Sequence, residues 1–245
     1  MSVQIITSVH NPLLKEAALL RKSPSAERFL IEGTRFAEEL PPECILRVYT
    51  TDPEKHRAFL NRLGDVPVVH LSDEAMKKIC AAVSGQTLAC EVKKLPVPLP
   101  KKLILLDRVQ DPGNVGTVIR SAYAFGFGVI LSPGCANPYS PKAIMSTAGA
   151  FRCCYVETCD DLPARIGELK KDGFSICAAA LDKTACRPEE LTLTEKRAVI
   201  IGNEGKGICE EVLKTADKTV FLPMETAMES LNAAMAASIF AYLLK

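Results

Sequence analysis

Residues 101–245 alternate between short apolar runs and segments with helical spacing, and this alternation limits the possible folds more than any other feature. Most of the runs are continuously apolar, which is typical of strands covered on both faces. Strands are predicted at 103–107, 129–131, 153–156, 175–180, 198–201 and 219–222. Helices are predicted at 115–125, 141–149, 162–171, 208–215 and 231–244. The alternation therefore predicts an α/β fold in which helices cover both faces of a parallel sheet.

Residues 1–95 carry a mixed pattern of their own and predict a second, smaller α/β module. Its strands are expected at 29–33, 47–51, 68–71 and 87–93, and its helices at 11–20, 34–40, 53–63 and 72–83. The stretch that follows reads Leu-Pro-Val-Pro-Leu-Pro, and alternating proline favours a stiff extended linker. We therefore place one domain at 1–95, a linker at 96–100 and a second domain at 101–245.

The composition is that of a soluble globular protein, with 48% hydrophobic residues, 24% charged residues and a formal net charge of +1. This balance argues against a polybasic nucleic-acid binder. The ten cysteines include no Cys-x-x-Cys pair, so no metal site is expected, and the thiols are expected to be reduced in a cytoplasmic protein. No apolar run reaches the roughly 20 residues that span a membrane, so no membrane association is expected.

Basic residues are dense in the first module, and their pattern leaves two interpretations open. They are a solvated helix face, or they are contacts to a nucleic acid. The residues concerned are Lys15, Arg21, Lys22, Arg28 and Arg35.

A glycine-rich stretch, Gly202-Asn-Glu-Gly-Lys-Gly207, follows the predicted strand at 198–201. Alone it is either a tight turn or a ligand site at a strand end, and Glu204 has no evident packing role. Two further stretches also follow predicted strands. In 107–120, Asn114 is a candidate helix cap and Arg120 lies off the apolar stripe of its helix. In 222–232, Ser230 is a candidate cap for the last helix.

The carboxyl ends of parallel strands share one edge of a sheet, so these three stretches are expected to converge. Together they offer backbone groups, Arg120, Glu204, Asn114, Asn232 and Ser230. All three histidines lie before residue 71, which excludes a histidine-based hydrolase site in the second domain. The glycine stretch lacks the spacing of a phosphate-binding P-loop, and no Gly-x-Gly-x-x-Gly follows the first strand of that domain.

With these motifs the chain resembles the SpoU-type (TrmH-type) RNA ribose 2′-O-methyltransferases of the SPOUT superfamily. The family motifs are Asn-x-Gly-x-x-x-Arg, Gly-x-Glu-Gly-x-Gly and Pro-Met followed by Glu-Ser-Leu-Asn. Here they read Asn114-Val-Gly-Thr-Val-Ile-Arg120, Gly202-Asn-Glu-Gly-Lys-Gly207, and Pro223-Met224 with Glu229-Ser-Leu-Asn232. Residues 1–95, with Phe-Leu-Ile-Glu-Gly-Thr-Arg at 29–35 and Ser-Gly-Gln at 84–86, are more loosely similar to the RNA-binding domain of the family.

The resemblance implies a trefoil knot in the second domain, S-adenosylmethionine as cofactor, and a homodimer whose active site draws on both chains. It implies catalytic or site-shaping roles for five residues: Asn114, Arg120, Glu204, Ser230 and Asn232. It places the cofactor against backbone and side chains at Gly202, Asn203, Leu222, Met224, Ser230, Leu231 and Asn232. It implies RNA contacts at Arg21, Lys22, Arg28, Arg35 and Arg120, with ribosomal RNA as the expected substrate.

Three alternatives stay open at this stage. The substrate could be transfer RNA, the protein could be an RNA-binding assembly factor that has lost activity, or the methyl group could go to a base or a protein. One departure from the family bears on the substrate: Met145 stands where many relatives carry an arginine.

Overall fold

The chain divides into two units in the computed structural model, which describes residues 5–80, 85–182, 184–192, 194–225 and 230–245. One unit comprises Met1–Leu95 and Tyr139–Ile144, and the other comprises Pro96–Pro138 and Met145–Lys245. The division at residue 95 falls at the start of the proline-rich stretch. The sequence contained no sign that 139–144 would group with the first unit.

The first unit contains a four-stranded mixed sheet. Its strands are β1 (Phe29–Glu32), β2 (Ile45–Thr50), β3 (Val68–His70) and β4 (Leu88–Val92), in the order β1-β4-β2-β3. Strand β4 runs antiparallel to β1 and to β2, whereas β2 and β3 are parallel. The helices are α1 (Pro12–Lys22), α2 (Thr34–Ala37), α3 (Arg57–Leu60) and α4 (Asp73–Ile79). One core cluster packs α1 and α4 against the sheet through Leu14, Ala17, Met76 and Ile79.

The second unit contains a parallel sheet of six strands in the order β10-β8-β9-β5-β6-β7. The strands are β5 (Lys102–Leu106), β6 (Gly128–Leu131), β7 (Val156–Thr158), β8 (Ser175–Ala179), β9 (Arg197–Ile201) and β10 (Lys218–Val220). The helices are α5 (Pro112–Phe125), α6 (Pro141–Ser146), α7 (Leu162–Lys171), α8 (Glu210–Leu213) and α9 (Ala233–Leu243). The last residues of α6 belong to this unit and its first ones to the other.

Helices cover both faces of the six-stranded sheet. Successive side chains of a strand point to opposite faces, so Ile104 and Leu106 pack on one side and Leu103 and Leu105 on the other. The first side is closed by α5 and α9, and the second by α7 and α8. This double covering explains why the strands are continuously apolar. The predicted α/β fold with a parallel sheet is confirmed.

Several predicted element boundaries differ from the observed ones. Strand β7 begins at Val156, not at 153, because the chain after Gly149 (φ 90°) first makes a 3-10 turn at Ala150–Arg152. Strand β10 ends at Val220, two residues short of the predicted end. Helix α3 covers only part of the predicted 53–63, since the Asp52 side chain accepts a hydrogen bond from the Lys55 amide and holds a turn there. Residues 81–83 of the helix predicted at 72–83 lie outside the described residues.

No helix among the described residues has the length and apolar character needed to cross a membrane. None of the ten cysteines forms a disulfide, and half of them are buried.

A buried carboxylate in the first unit binds side chains from two other parts of the sheet region. Glu91, on β4, is 2% exposed and accepts hydrogen bonds from Arg28 Nε at 2.6 Å and Arg47 Nη1 at 3.2 Å. The Tyr49 hydroxyl lies 3.3 Å from the same carboxylate, and burial raises the pKa of Tyr49 to about 12. Arg28 also pairs with Glu16 at 2.8 Å. The guanidinium of Arg28, predicted from the sequence as an RNA contact, is thus engaged in the fold.

Replacement of Glu91 by glutamine is expected to lower the free energy of unfolding by about 2 kcal/mol, because two guanidinium groups lose a buried counter-charge. The value is below that for a fully buried pair, since Arg28 is about a third exposed. Urea unfolding measures it. The matched control is Glu54→Gln, which removes the exposed Arg57 pair and should cost less than about 0.5 kcal/mol. Equal losses in the two variants would contradict the structural role of Glu91.

Candidate active site

A cavity of about 330 Å³ lies at the carboxyl ends of β8, β9 and β10 in the second unit. Its wall is formed by the segments that follow these three strands and by the first turns of α9. The described lining residues are Ala179, Ala180, Leu181, Ile201, Gly202, Asn203, Glu204, Gly205, Gly207, Val220, Phe221, Leu222, Met224, Ser230, Leu231, Ala233, Ala236 and Phe240. Ligands of open parallel sheets bind at this edge, where strand ends and helix starts meet.

Polar and apolar surfaces contribute about equally to the wall of the cavity, because backbone groups and a few polar side chains lie between the apolar ones. Of the described residues that line it, Glu204 alone carries a charge. Six of the seven residues predicted to hold a cofactor contribute to the wall: Gly202, Asn203, Leu222, Met224, Ser230 and Leu231. Among the described residues, no group of His, Cys, Asp and Glu side chains is arranged to hold a metal ion.

The glycine-rich stretch forms a closed loop after β9. The backbones of Asn203 and Gly207 exchange two hydrogen bonds. The side-chain oxygen Oδ1 of Asn203 accepts hydrogen bonds from the backbone amides of Gly205 and Lys206. A Cβ at Gly202 would lie 2.3 Å from the Gly207 carbonyl carbon, so only glycine permits this closure. Gly207 itself has a φ of 64°. Gly202 is therefore needed because the backbone of the loop packs against it. The sequence had suggested that it makes room for a ligand.

Asn232 is the N-cap of α9, and its contacts set the direction of a chain of hydrogen bonds. Its Oδ1 accepts from the backbone amides of Ala234 and Met235, at 3.0 and 3.2 Å. Its Nδ2 must then face outward, and it donates to Asn114 Oδ1 at 3.1 Å. The Nδ2 of Asn114 in turn donates to Glu204 Oε1 at 2.7 Å. One side chain from each of the three predicted motifs thus belongs to a single directed chain.

Both helix caps in these motifs were predicted wrongly. Helix α5 is capped by Asp111, whose side chain accepts from the Asn114 amide at 2.9 Å, so Asn114 is the third helical residue. Helix α9 is capped by Asn232, two residues after Ser230. Because Asp111 satisfies the helix amide, the side chain of Asn114 is left to reach Glu204 and Asn232. Glu229, part of the third motif, lies outside the described residues.

Arg120 stands apart from this network. It is exposed on α5, and it makes no hydrogen bond or ion pair to any residue that the structure describes. It does not line the cavity, and neither do Asn114 and Asn232. The structure therefore joins Asn114, Glu204 and Asn232, places Ser230 in the cavity wall, and leaves Arg120 on an open helix face.

Two residues at the end of β5 were missed from the sequence. Asp107 is 2% exposed, and its carboxylate accepts hydrogen bonds from Arg108 Nε and Nη2, each at 3.1 Å, and from the Cys209 amide at 2.7 Å. The hydrogen bond to Asp107 raises the pKa of the Arg108 guanidinium. The sequence did contain a signal for this pair, because an acidic residue directly follows a continuously apolar strand and is itself followed by an arginine. Carboxylates are rarely buried unless they are paired, so an ion pair between the two residues could have been predicted.

A parallel sheet with a ligand-sized cavity at its carboxyl edge is typical of enzymes that bind a small cofactor. The model of the SpoU rRNA Methylase family matches residues 101–242. The 23S rRNA (guanosine(2553)-2′-O)-methyltransferase RlmP of Bacillus subtilis is 31% identical over 249 residues, with 98% of each chain covered. The chain therefore belongs to the SpoU rRNA methylase family.

Solved structures agree with this membership. A TrmH-family RNA methyltransferase from Porphyromonas gingivalis is 26% identical, with a TM-score of 0.81 over 94% of this chain and 95% of that one. The AdoMet-bound rRNA methyltransferase from Sinorhizobium meliloti is 22% identical and has the same fold, with a TM-score of 0.82 over 98% of this chain and 96% of that one. The predicted identity as a SpoU-type RNA methyltransferase is confirmed, and S-adenosylmethionine is the expected cofactor.

Replacement of Asn232 by aspartate tests the directed chain of hydrogen bonds. Aspartate caps helices as well as asparagine does, so the free energy of unfolding should change by less than about 0.5 kcal/mol. A carboxylate oxygen would, however, face Asn114 Oδ1, and the contact to Glu204 would be lost. We expect methyl transfer to RNA to fall by about tenfold or more.

The matched control is Asp161→Asn, which exchanges the same two residue types at the N-cap of α7, away from the site. It should leave both stability and methyl transfer unchanged. Wild-type transfer by Asn232→Asp, measured with tritiated cofactor, would show that the chain of hydrogen bonds has no part in the reaction.

Proposed function

We propose that this protein transfers a methyl group from S-adenosylmethionine to a ribose 2′-hydroxyl of ribosomal RNA in the cytoplasm. The observation that carries the proposal is the chain Asn232–Asn114–Glu204, which joins the three motifs beside one cavity. The similarity to RlmP of Bacillus subtilis extends over both units and supports ribosomal RNA over transfer RNA as the substrate. It likewise supports a ribose over a base or a protein.

The cavity suits S-adenosylmethionine better than a phosphate-bearing cofactor. Glu204 is compatible with a sulfonium cation, and no lysine or arginine is among the described lining residues to neutralise a phosphate. Apolar side chains such as Leu222, Met224 and Leu231 can pack on an adenine ring, while loop backbone groups can bind its polar edge. The volume is at the lower end of the range typical of ligand sites, roughly 300–1,000 Å³.

The trefoil knot implied by the resemblance is part of the proposal. Strand β10 lies at one edge of the sheet, whereas α9, which follows it, packs against α5 on the face near β5. The Ser121 and Ser238 hydroxyl groups lie 2.7 Å apart across these two helices. The described residues on either side of 226–229, such as Leu222 and Ser230, line the same cavity as the glycine loop. The crossing from β10 to α9 is the arrangement that a threaded chain requires, although knots are rare.

A homodimer is proposed from the outer surface of α5 and α9. Four large apolar side chains are 42–56% exposed there: Tyr123, Met235, Tyr242 and Leu243. Met235 and Tyr242 are two helical turns apart and so share one face of α9. Large exposed apolar side chains on two packed helices are typical of a protein–protein interface. Because Arg120 is exposed on the adjacent helix, a second copy would bring it to the partner's site.

The residues have distinct proposed roles in the transfer. The residues that line the cavity would hold S-adenosylmethionine, which would supply an electrophilic methyl group to the ribose 2′-oxygen and leave as the neutral thioether. The hydroxyl proton would pass to water. Arg120 supplies guanidinium donors that orient the 2′-hydroxyl or the adjacent phosphate and stabilise the developing negative charge. The second Nδ2 hydrogen of Asn114 and that of Asn232 have no partner among the described residues, and both are available to the RNA. Glu204 holds Asn114 in place, and Ser230 shapes the cavity.

The first unit is proposed to bind the RNA, and its basic residues differ in their availability. Lys22 and Arg35 are exposed, and Arg35 lies over its neighbour Phe36 at 5.8 Å. Arg21 donates to the Cys80 carbonyl oxygen at 2.9 Å, and Arg28 is paired with Glu91. We therefore assign direct phosphate contacts to Lys22 and Arg35, and mainly structural roles to Arg21 and Arg28.

Replacement of Arg120 by alanine is expected to reduce methyl transfer about 100- to 1,000-fold, the usual effect of removing one donor to a developing oxyanion. Calorimetry should show unchanged binding of S-adenosylmethionine, because Arg120 does not line the cavity. The control is Lys171→Ala, which removes one exposed positive charge on α7, on the other face of the sheet. Transfer is measured with tritiated cofactor and ribosomal RNA, and the products are identified as 2′-O-methyl nucleosides.

Wild-type turnover by Arg120→Ala would overturn the assignment of Arg120. No cofactor binding by the wild-type protein would favour an RNA-binding assembly factor. Methylated bases or protein, without 2′-O-methyl nucleosides, would favour a different methyl acceptor. Preferential labelling of transfer RNA would identify transfer RNA, and not ribosomal RNA, as the substrate.

Mixed dimers test whether the site is shared between two chains. Differently tagged Arg120→Ala and Asn114→Ala chains would be co-expressed, and the dimer carrying both tags would be purified. If Arg120 acts on the partner's site, one of the two sites contains both wild-type residues, and the mixed dimer should recover roughly half of the wild-type transfer. If all groups act within one chain, both sites are defective and the mixed dimer should be as inactive as the single variants.

A further inference from the structure

The glycine loop is attached to the rest of the second unit through the residues at the end of β5. At its start, Asn203 Nδ2 donates to the Arg108 carbonyl oxygen at 2.8 Å. At its end, the Cys209 amide donates to Asp107 Oδ2 at 2.7 Å. Between these two points, the bond from Asn114 to Glu204 reaches outside the loop, and the backbone bonds are internal to it. Two consecutive residues that do not line the cavity therefore hold both ends of the loop.

Arg108 adopts a backbone conformation that is unfavourable for its residue type. Its φ is 56°, a left-handed conformation that is unfavourable for a residue other than glycine. Three contacts hold it there: its amide donates to Ser132 Oγ at 2.9 Å, its carbonyl oxygen accepts from Asn203, and its guanidinium binds Asp107 through two nitrogens. Strain that is held by several specific contacts is a common feature of functional sites.

Asp107 is the centre of this arrangement. Its buried carboxylate binds the strained residue beside it and the far end of the loop, and its own amide donates to the Ile201 carbonyl oxygen at 2.8 Å, just before the loop begins. Glu204, near the tip of the loop, must lie within 2.7 Å of Asn114 for the chain of hydrogen bonds to form. A small displacement of the loop would break that contact.

We propose that Asp107, together with Arg108, is a positioning pair for methyl transfer, which holds the glycine loop where it can shape the cofactor cavity and present Glu204 to Asn114. The role of the cavity in this proposal rests on the proposed function. The attachment of the loop by Asp107 and Arg108 does not depend on it. It assigns no contact with cofactor or RNA to either residue.

Asp107→Asn is the principal test, because it keeps the size of the side chain but removes the charge and places an amide against two donors. We expect the KM and the dissociation constant for S-adenosylmethionine to rise about tenfold or more, as one charged hydrogen bond is lost. Hydrogen exchange should be faster in the peptide covering 202–209 of the cofactor-free protein, where the Gly205, Lys206 and Cys209 amides donate hydrogen bonds.

The matched control is Glu157→Gln. Glu157 binds Arg165 through the same two guanidinium nitrogens, at 2.7 and 3.1 Å, between β7 and α7 and away from the cavity. Its replacement should lower the thermal midpoint of unfolding and leave cofactor affinity and loop exchange unchanged. This control separates a positioning role from a general loss of stability.

Arg108 provides a second pair of variants in case Asp107→Asn does not fold. Arg108→Ala leaves the Cys209 contact in place but removes the guanidinium, and should raise the cofactor dissociation constant. Arg108→Lys keeps the positive charge and should restore part of the affinity. Wild-type cofactor affinity and wild-type loop exchange in both Asp107→Asn and Arg108→Ala would overturn the proposal.

The exchange measurement separates this proposal from the proposed function. If the wild-type protein binds no S-adenosylmethionine, the proposed function fails, while faster exchange in 202–209 still supports the attachment of the loop by Asp107. If the wild-type protein binds and transfers normally but the variants match Glu157→Gln in every measurement, the positioning role alone fails.

Discussion

The first amides of α9 determine the polarity of the site. They require an acceptor, so Asn232 presents its oxygen to the helix and its nitrogen to Asn114. Asn114 must then present its nitrogen to Glu204, which can only accept. Leaving the first amides of α9 without hydrogen-bond acceptors would cost free energy. The requirement to cap α9 therefore also fixes the orientation of two asparagine side chains and a carboxylate. The arrangement of polar groups beside the cavity follows from this one requirement.

The sheet brings these groups together because it is parallel. Asn114 is separated from Glu204 by 90 residues and from Asn232 by 118, yet each follows a strand whose carboxyl end lies on the same edge. The end of β5 contributes a second set of contacts through Asp107, which binds the glycine loop at its far end. The loop is thus joined to the β5–α5 connection on one side and, through Asn114, to α9 on the other. These contacts fix the positions of the loops that form the wall of the cavity and so define its shape.

Much of the fold was accessible from the pattern of residues. The central strands of the second unit were recognised because they are apolar on both faces, a property that local sequence reveals. Boundaries were less accessible, as β7 shows: Cys153 and Cys154 belong to an apolar run, but the turn after Gly149 delays the strand to Val156. The caps failed for a related reason, since Asp111, Asn114, Ser230 and Asn232 all have side chains that can cap a helix.

The sequence by itself determined that the second unit is a doubly covered parallel sheet and that Asn114, Glu204 and Asn232 come together at its carboxyl edge. Periodicity and residue type carry that information locally. Only the tertiary structure decided that Asn232, and not Ser230, caps α9, that Gly202 is required by its own loop, and that Asp107 is buried against Arg108. These outcomes depend on strand order and on distances between residues far apart in the chain, which no local pattern contains.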